Sequence, residues 1–155
     1  IRTPKVSVEQ AELDVDVRIK NSGTEAKAVK LETIIYGPDQ QPVASYTSDL
    51  LIPAGEVFTA KPAIQPIQKP ELWSTETPNL YRLVCQIADT DSGVVLDEVM
   101  STFGCRWFSF DAKEGFFLNG KHMKLIGTNR HQDYVGIGNA LPDYIHREDI
   151  QRMKE

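Results

Sequence analysis

The stretch FFLNGKHMKLIGTNRHQD, residues 116–133, opens as an apolar hairpin and ends in the polar run Thr128, Asn129, Arg130, His131, Gln132 and Asp133. Asn119 and Gly120 both tolerate the positive φ angles of a tight two-residue turn, so the apolar arms on either side are expected to pair. A strand that stays hydrophobic almost to its end and then presents amide, guanidinium, imidazole and carboxylate groups is placed to display chemistry at its carboxyl end.

Downstream, residues 134–142 are glycine-rich and without periodicity, which predicts a loop. Asp143 is then expected to cap an amphipathic helix with Ile145, Ile150 and Met153 on its apolar side and Glu148, Asp149, Arg152 and Lys154 on its charged side. Hairpin, strand, loop and helix in that order read as the opening of an α/β structure. A lone strand and helix bury little surface, and a parallel sheet needs neighbours, so the unit is expected to be completed by something else. A (β/α)₈ barrel is an obvious candidate. The first residue is Ile1 rather than methionine, and Glu155 falls inside the helical pattern with no stop signal after it. The chain is therefore expected to be cut from a longer one.

Upstream the pattern changes. Leu13, Val15, Val17 and Ile19 alternate with Asp14, Asp16 and Arg18, the period of a half-buried strand. Asn21, Ser22 and Gly23 supply a turn, and Val29, Leu31, Thr33 and Ile35 alternate again before Gly37, Pro38 and Asp39. Further strands are predicted over 43–46, 57–61, 81–87 and 94–103, with turns at 53–55 and 89–93. About seven short antiparallel strands with regular turns predict an all-β, immunoglobulin-like β-sandwich over residues 1–110. Residues 111–155 would be the beginning of a second domain.

Composition narrows the function classes. A chain of 155 residues with 41% hydrophobic and 25% charged residues has room for one well-buried domain and not for two full-sized ones. No apolar run approaches the length that crosses a bilayer. The formal charge of −5 is spread without a basic cluster, which argues against nucleic acid as a partner. No export signal is visible, and the compartment stays open. Cys85 and Cys105 match no zinc or redox spacing and read as buried free thiols.

The run Pro70, Leu72, Trp73, Ser74, Pro78, Asn79, Leu80, Tyr81 and Arg82, then Phe103, Gly104 and Arg106, then Phe117 to Lys121, and finally Gly127, Asn129, Arg130 and His131, resembles the family-two glycoside hydrolases. Four ordered motifs make the resemblance more specific than any one of them. It implies an immunoglobulin-like sandwich over residues 1–110, followed by the first strand and helix of a (β/α)₈ catalytic barrel, with a jelly-roll sugar-binding domain preceding the sandwich. Asn-Arg-His after the first barrel strand is similar to the β-galactosidase branch. The parent enzyme is accordingly expected to release terminal non-reducing β-D-galactose, with a β-glucuronidase or another family-two glycosidase as the alternative. One departure is Cys105, where the family usually has an aromatic residue.

The resemblance implies that His131 contacts sugar hydroxyls and helps stabilise an oxocarbenium-like transition state. Asn129 and Arg130 would touch sugar or position a glutamate from a later strand. Without that resemblance, a single histidine at a strand end reads as structural or merely exposed. Retaining glycosidases need two carboxyl groups about 5 to 5.5 Å apart. The family's two catalytic glutamates lie on later barrel strands, so no catalytic residue is assigned in this chain, and the chain alone is expected to be inactive. Asp133, Glu148 and Asp149 are the nearest carboxylates, and the last two read as a solvated helix face. Asp14 and Asp16 read as surface charge, and His122 and His146 as surface histidines.

Trp73 and Tyr81 read as core anchors rather than sugar-stacking platforms. The Asp89–Gly93 turn lacks the glycine and glutamate positions of a calcium loop. No cofactor is expected in the chain, while a divalent metal is allowed for in the intact enzyme. The expected partners are a carbohydrate substrate, the jelly-roll and barrel domains of the same polypeptide, and further copies in a homo-oligomer, with neither nucleic acid nor membrane. Two alternatives stand beside this reading. A freestanding immunoglobulin-like binding or adhesion module leaves the Asn-Arg-His-Gln-Asp run unexplained. A complete small hydrolase would have to use Asp133 and Glu148.

Overall fold

The alternation over 29–35 becomes the centre of an antiparallel sheet in the computed structural model, which describes residues 1–155. The strands are β1 (Gln10–Ala11), β2 (Val17–Lys20), β3 (Lys27–Tyr36), β4 (Pro42–Ile52), β5 (Val57–Ala60), β6 (Ile67–Gln68), β7 (Tyr81–Asp89), β8 (Val95–Phe103), β9 (Phe108–Asp111), β10 (Gly115–Leu118) and β11 (Lys121–His122). One helix, α1, spans Asp143–Lys154. The chain is thus all-β with a single helix near its end. It divides into two compact units, Ile1–Met123 and Lys124–Glu155.

In the first unit, β4, β3, β7 and β8 lie side by side in that order, every pair antiparallel. Two-stranded ladders join β2 to β5 and β1 to β6. Because side chains alternate across a strand, Val29, Leu31, Thr33 and Ile35 all fall on one face of β3, and all four are buried. Two apolar clusters follow. Ile35, Leu83, Tyr81, Phe103 and Cys105 pack with Ala11, Val15 and Ile67, while Val29 packs with Ile19 and Ile52. Leu13 and Val17, expected in the core, are half-buried at its margin.

Strand β8 departs from a half-buried pattern: every residue from Val95 to Thr102 is exposed, and only Phe103 is buried. It is the outer strand of its sheet, and an open cleft of about 270 Å³ separates Val17 and Ile19 of β2 from Cys85, Ile87 and Val99.

The Asn119-Gly120 turn forms as expected, with φ angles of 52° and 76°. The arm after it does not continue as a strand. Its middle partner β10 is four residues long, and β11 pairs only Lys121 and His122 before one further bond from Met123 N–H to the Phe116 carbonyl, 2.9 Å. No neighbouring strand takes up the backbone of residues 124–133, so this segment has no regular structure. On its other side β10 pairs with β9, giving a three-stranded sheet that belongs to the first unit.

In the second unit the helix is present, with one correction at its start. Pro142, not Asp143, occupies the N-cap, and no side chain caps it. Asp143 lies inside the first turn, where its negative charge complements the exposed amide end of the helix. Of the expected apolar face only Ile145 is half-buried, while Ile150 and Met153 are 60% and 54% exposed.

Candidate functional site

The second unit is held together by a short turn and one side-chain cluster. Tyr134 and Gly138 exchange backbone bonds across a turn that uses positive φ at Gly136 and Gly138. Arg130 reaches α1: its Nε donates to Oδ2 of Asp149 at 2.8 Å, and its Nη2 makes an ion pair with the same oxygen. Tyr134 donates its hydroxyl proton to the same carboxylate, 2.9 and 3.0 Å from the two oxygens. The remaining guanidinium nitrogen, Nη1, lies 3.0 Å from His146 Nδ1, a distance that suits a ring whose Nδ1 is free to accept. Arg130 and Asp149 are each only 19% exposed.

The electrostatics follow from this geometry. The Arg130 guanidinium, helped by the Tyr134 hydroxyl, holds the Asp149 carboxyl below its ordinary range. That carboxylate in turn pushes the Tyr134 phenol up, because it accepts the hydroxyl proton.

Of the three residues singled out beforehand, Asn129 and His131 are exposed, and Arg130 is drawn inward to Asp149 between them. Asp149 and His146, read beforehand as solvated or surface residues, are the partners of Arg130. One signal for this lies in the sequence: His146 and Asp149 are three apart on a helix and therefore share a face. The pairing with Arg130 across the loop carries no such mark.

The other carboxylates are mostly engaged. Glu148 binds Arg152 one helical turn on at 2.6 Å, and Asp133 is exposed. Asp14 bonds the Arg2 guanidinium at 2.7 and 3.1 Å, and Asp16 lies 3.4 Å from Arg2 and 3.6 Å from Lys61. These are exposed pairs, as surface charge would be. His122 lies edge-on to Phe117 in the first unit, with ring centres 5.5 Å apart. No three His, Cys, Asp or Glu side chains converge as a metal site would require.

In the first unit, the motif residues between Leu72 and Gly120 meet at one place. Leu72 bridges Cys105, and Trp73 N–H donates to the Cys105 carbonyl at 2.9 Å. Asn79 donates through Nδ2 to the Leu72 carbonyl at 3.2 Å. The Arg106 guanidinium stacks over the Trp73 ring, 4.8 Å from its centre. Gly104 lies so close that a Cβ there would come within 2.9 Å of Trp73 Cβ. Tyr81 stacks on Phe103 at 5.4 Å and accepts the Glu71 backbone N–H at 2.8 Å. Tyr81 lies in the core as expected, while Trp73 is half-buried outside both core clusters. An open cleft of about 670 Å³ adjoins this region, lined by Arg2, Leu80, Gly104, Arg106 and Trp107 among others.

Cys85 and Cys105 are both free thiols. Burial pushes Cys105 up to about 11, and it raises Cys85 as well. The Asp89–Gly93 segment is a turn: the Asp89 carboxylate accepts from the Ser92 amide and hydroxyl at 2.8 and 2.9 Å and pairs with Lys27.

Residues 1–106 match the family model of glycosyl hydrolases family 2. A Bacteroides uniformis β-glucuronidase 2, solved covalently bound to cyclophellitol-6-carboxylate aziridine, is 42% identical. That match covers 99% of this chain and 18% of the other, with a TM-score of 0.94. A β-glucuronidase from Bacteroides fragilis is 32% identical over 97% of this chain and 21% of its own length. A β-galactosidase from Bacteroides ovatus is 29% identical over the full chain and 18% of its own length. The chain thus spans about a fifth of the length of these relatives.

Proposed function

Because the chain belongs to glycosyl hydrolase family 2, we propose that it serves as part of a larger retaining glycoside hydrolase acting on terminal β-glucuronides. In this reading residues 1–110 form an immunoglobulin-like sandwich that supports the catalytic domain, and residues 111–155 begin a (β/α)₈ barrel. The observation that carries the choice of sugar is the relative bound covalently to a carboxylate-bearing cyclitol, at 42% identity across nearly the whole chain. A sugar-like electrophile captured covalently is what a nucleophilic carboxylate of a retaining enzyme would produce. The Asn129-Arg130-His131 run resembles the β-galactosidase branch. The Bacteroides ovatus relative keeps that as the second reading, while β-glucuronidases stand at higher identity.

His131 and Asn129 are the residues assigned to the sugar. Both are exposed, so their polar ends are free to bond sugar hydroxyls. The acid/base and nucleophile carboxylates come from elsewhere in the polypeptide, as do the jelly-roll and the rest of the barrel.

The test compares the full-length polypeptide carrying this sequence on p-nitrophenyl β-glucuronide and β-galactoside. Preference for the glucuronide, with no turnover by the 155-residue chain alone, is the expected result. Preference for the galactoside establishes the second reading. Turnover by the isolated chain that disappears with His131→Ala overturns the division of labour between this segment and the rest.

A further inference from the structure

Residues 130–134 are tied to α1 at both ends by one carboxylate. Arg130 and Tyr134 flank His131, Gln132 and Asp133, and both bond Asp149, the arginine through Nε at 2.8 Å and the tyrosine through its hydroxyl at 2.9 and 3.0 Å. The segment between them has no strand or helix of its own to hold it. Its backbone direction is therefore set by this clamp and by the Tyr134–Gly138 turn that follows. Two guanidinium donors converge on the one oxygen Oδ2 of Asp149, and because they belong to one rigid planar group they fix its orientation as well as its distance. Arg130 points inward while its neighbours Asn129 and His131 stay exposed.

We propose that Asp149 is a positioning residue of the sugar site: by clamping Arg130 and Tyr134 it fixes the loop that presents Asn129 and His131, and Arg130 acts through this clamp rather than on the sugar. This rests on the reading that His131 contacts substrate. With two of its guanidinium nitrogens on Asp149 and the third beside His146, Arg130 has little capacity left for a ligand. His146 completes the shell by occupying the remaining edge of the guanidinium.

The test uses the full-length enzyme with the variants Asp149→Asn, Arg130→Lys, Tyr134→Phe and His131→Ala, and the double variant Asp149→Asn/His131→Ala. A misplacement of about 1 Å in a substrate-contacting loop costs on the order of 100-fold in rate. Asp149→Asn is accordingly expected to lower kcat/KM by about 10- to 100-fold, chiefly through kcat. Tyr134→Phe, which removes one hydroxyl and leaves the ion pair, gives a smaller loss in the same direction. In the His131→Ala background Asp149→Asn has a smaller further effect, since one of the two groups it positions is gone. Trypsin cleavage after Arg130 accelerates in Asp149→Asn, a readout independent of activity.

Wild-type kcat/KM in folded Asp149→Asn and Tyr134→Phe enzymes, with His131→Ala impaired, overturns the clamp and leaves the sugar site standing. Full activity in His131→Ala overturns the sugar-site reading itself. Losses from Asp149→Asn and His131→Ala that simply multiply in the double variant also overturn the clamp, because they show the two residues acting separately. If Asp149→Asn fails to fold, Tyr134→Phe and the conservative Asp149→Glu decide the matter, since the latter restores activity only if the carboxylate acts by reaching Arg130.

Discussion

Asn119 joins two parts of the first unit that are far apart in sequence. Its Nδ2 donates to the Trp73 carbonyl at 3.0 Å, and its Oδ1 accepts the Trp107 amide at 3.1 Å. The same residue sits at φ 52° in the hairpin turn, so one asparagine supplies both the turn and the bond that holds the turn against the loop before β7.

Replacing Asn119 therefore removes two hydrogen bonds and places a less tolerant residue in a left-handed conformation. Asn119→Ala is expected to destabilise the first unit by about 2–4 kcal/mol, while Asn119→Gly, which keeps the backbone freedom, costs less. Denaturant unfolding of the two variants beside the parent chain checks the order. Equal losses in both would assign the whole effect to the side chain.

Gly104 faces Trp73 at a distance that a methyl group cannot share: its added Cβ would lie 2.9 Å from Trp73 Cβ and 3.1 Å from Cγ. These are atoms near the backbone, with no flexible end to swing away. Gly104→Ala is expected to cost about 1–3 kcal/mol through overpacking and to disturb the Arg106 stack on Trp73. A lower thermal midpoint together with shifted tryptophan fluorescence is the result to look for.

Asp89 links stability to pH. Lys27, followed by the Ser92 amide and hydroxyl, holds its carboxyl well below the usual carboxylate range. The unfolded chain therefore takes up the proton first. The pair's contribution is fully present above about pH 4, the ordinary Asp range, and is lost as pH falls below it toward the folded value. Lys27 is held up by the same partner, so its share persists until strongly alkaline pH and is lost there. Asp89→Asn should flatten the acid limb of a plot of thermal midpoint against pH and leave it unchanged at the acid extreme. A parallel shift across all pH values would contradict this.

The alternating residues of β3 could be read directly, because a period of two with apolar Val29, Leu31 and Ile35 admits one buried face. The Asn119-Gly120 turn was equally legible, since few residue pairs accept its angles. What could not be read was pairing. Leu125 and Ile126 extend the apolar second arm of the hairpin, but a strand exists only where a neighbour takes its hydrogen bonds, and β10 is too short to do so. The same holds for Arg130. Its partner Asp149, which draws it inward, is nineteen residues away, a separation at which no local rule applies. Pro142 and Asp143 differ by one position at the helix start, within the usual uncertainty of end signals.

Strand β8 has a practical consequence for anyone producing this chain. Val95, Leu96, Val99 and Met100 stand 48–60% exposed on an outer strand whose far side has no partner, with Asp97 and Glu98 as the only charges between them. Unpaired edges of this kind recruit other strands, and charged residues are the usual guard against it. Self-association through this edge is the first hazard to expect in concentrated samples. A lysine introduced at Val99 or Met100 is the first change to make when concentrated, well-behaved material is needed.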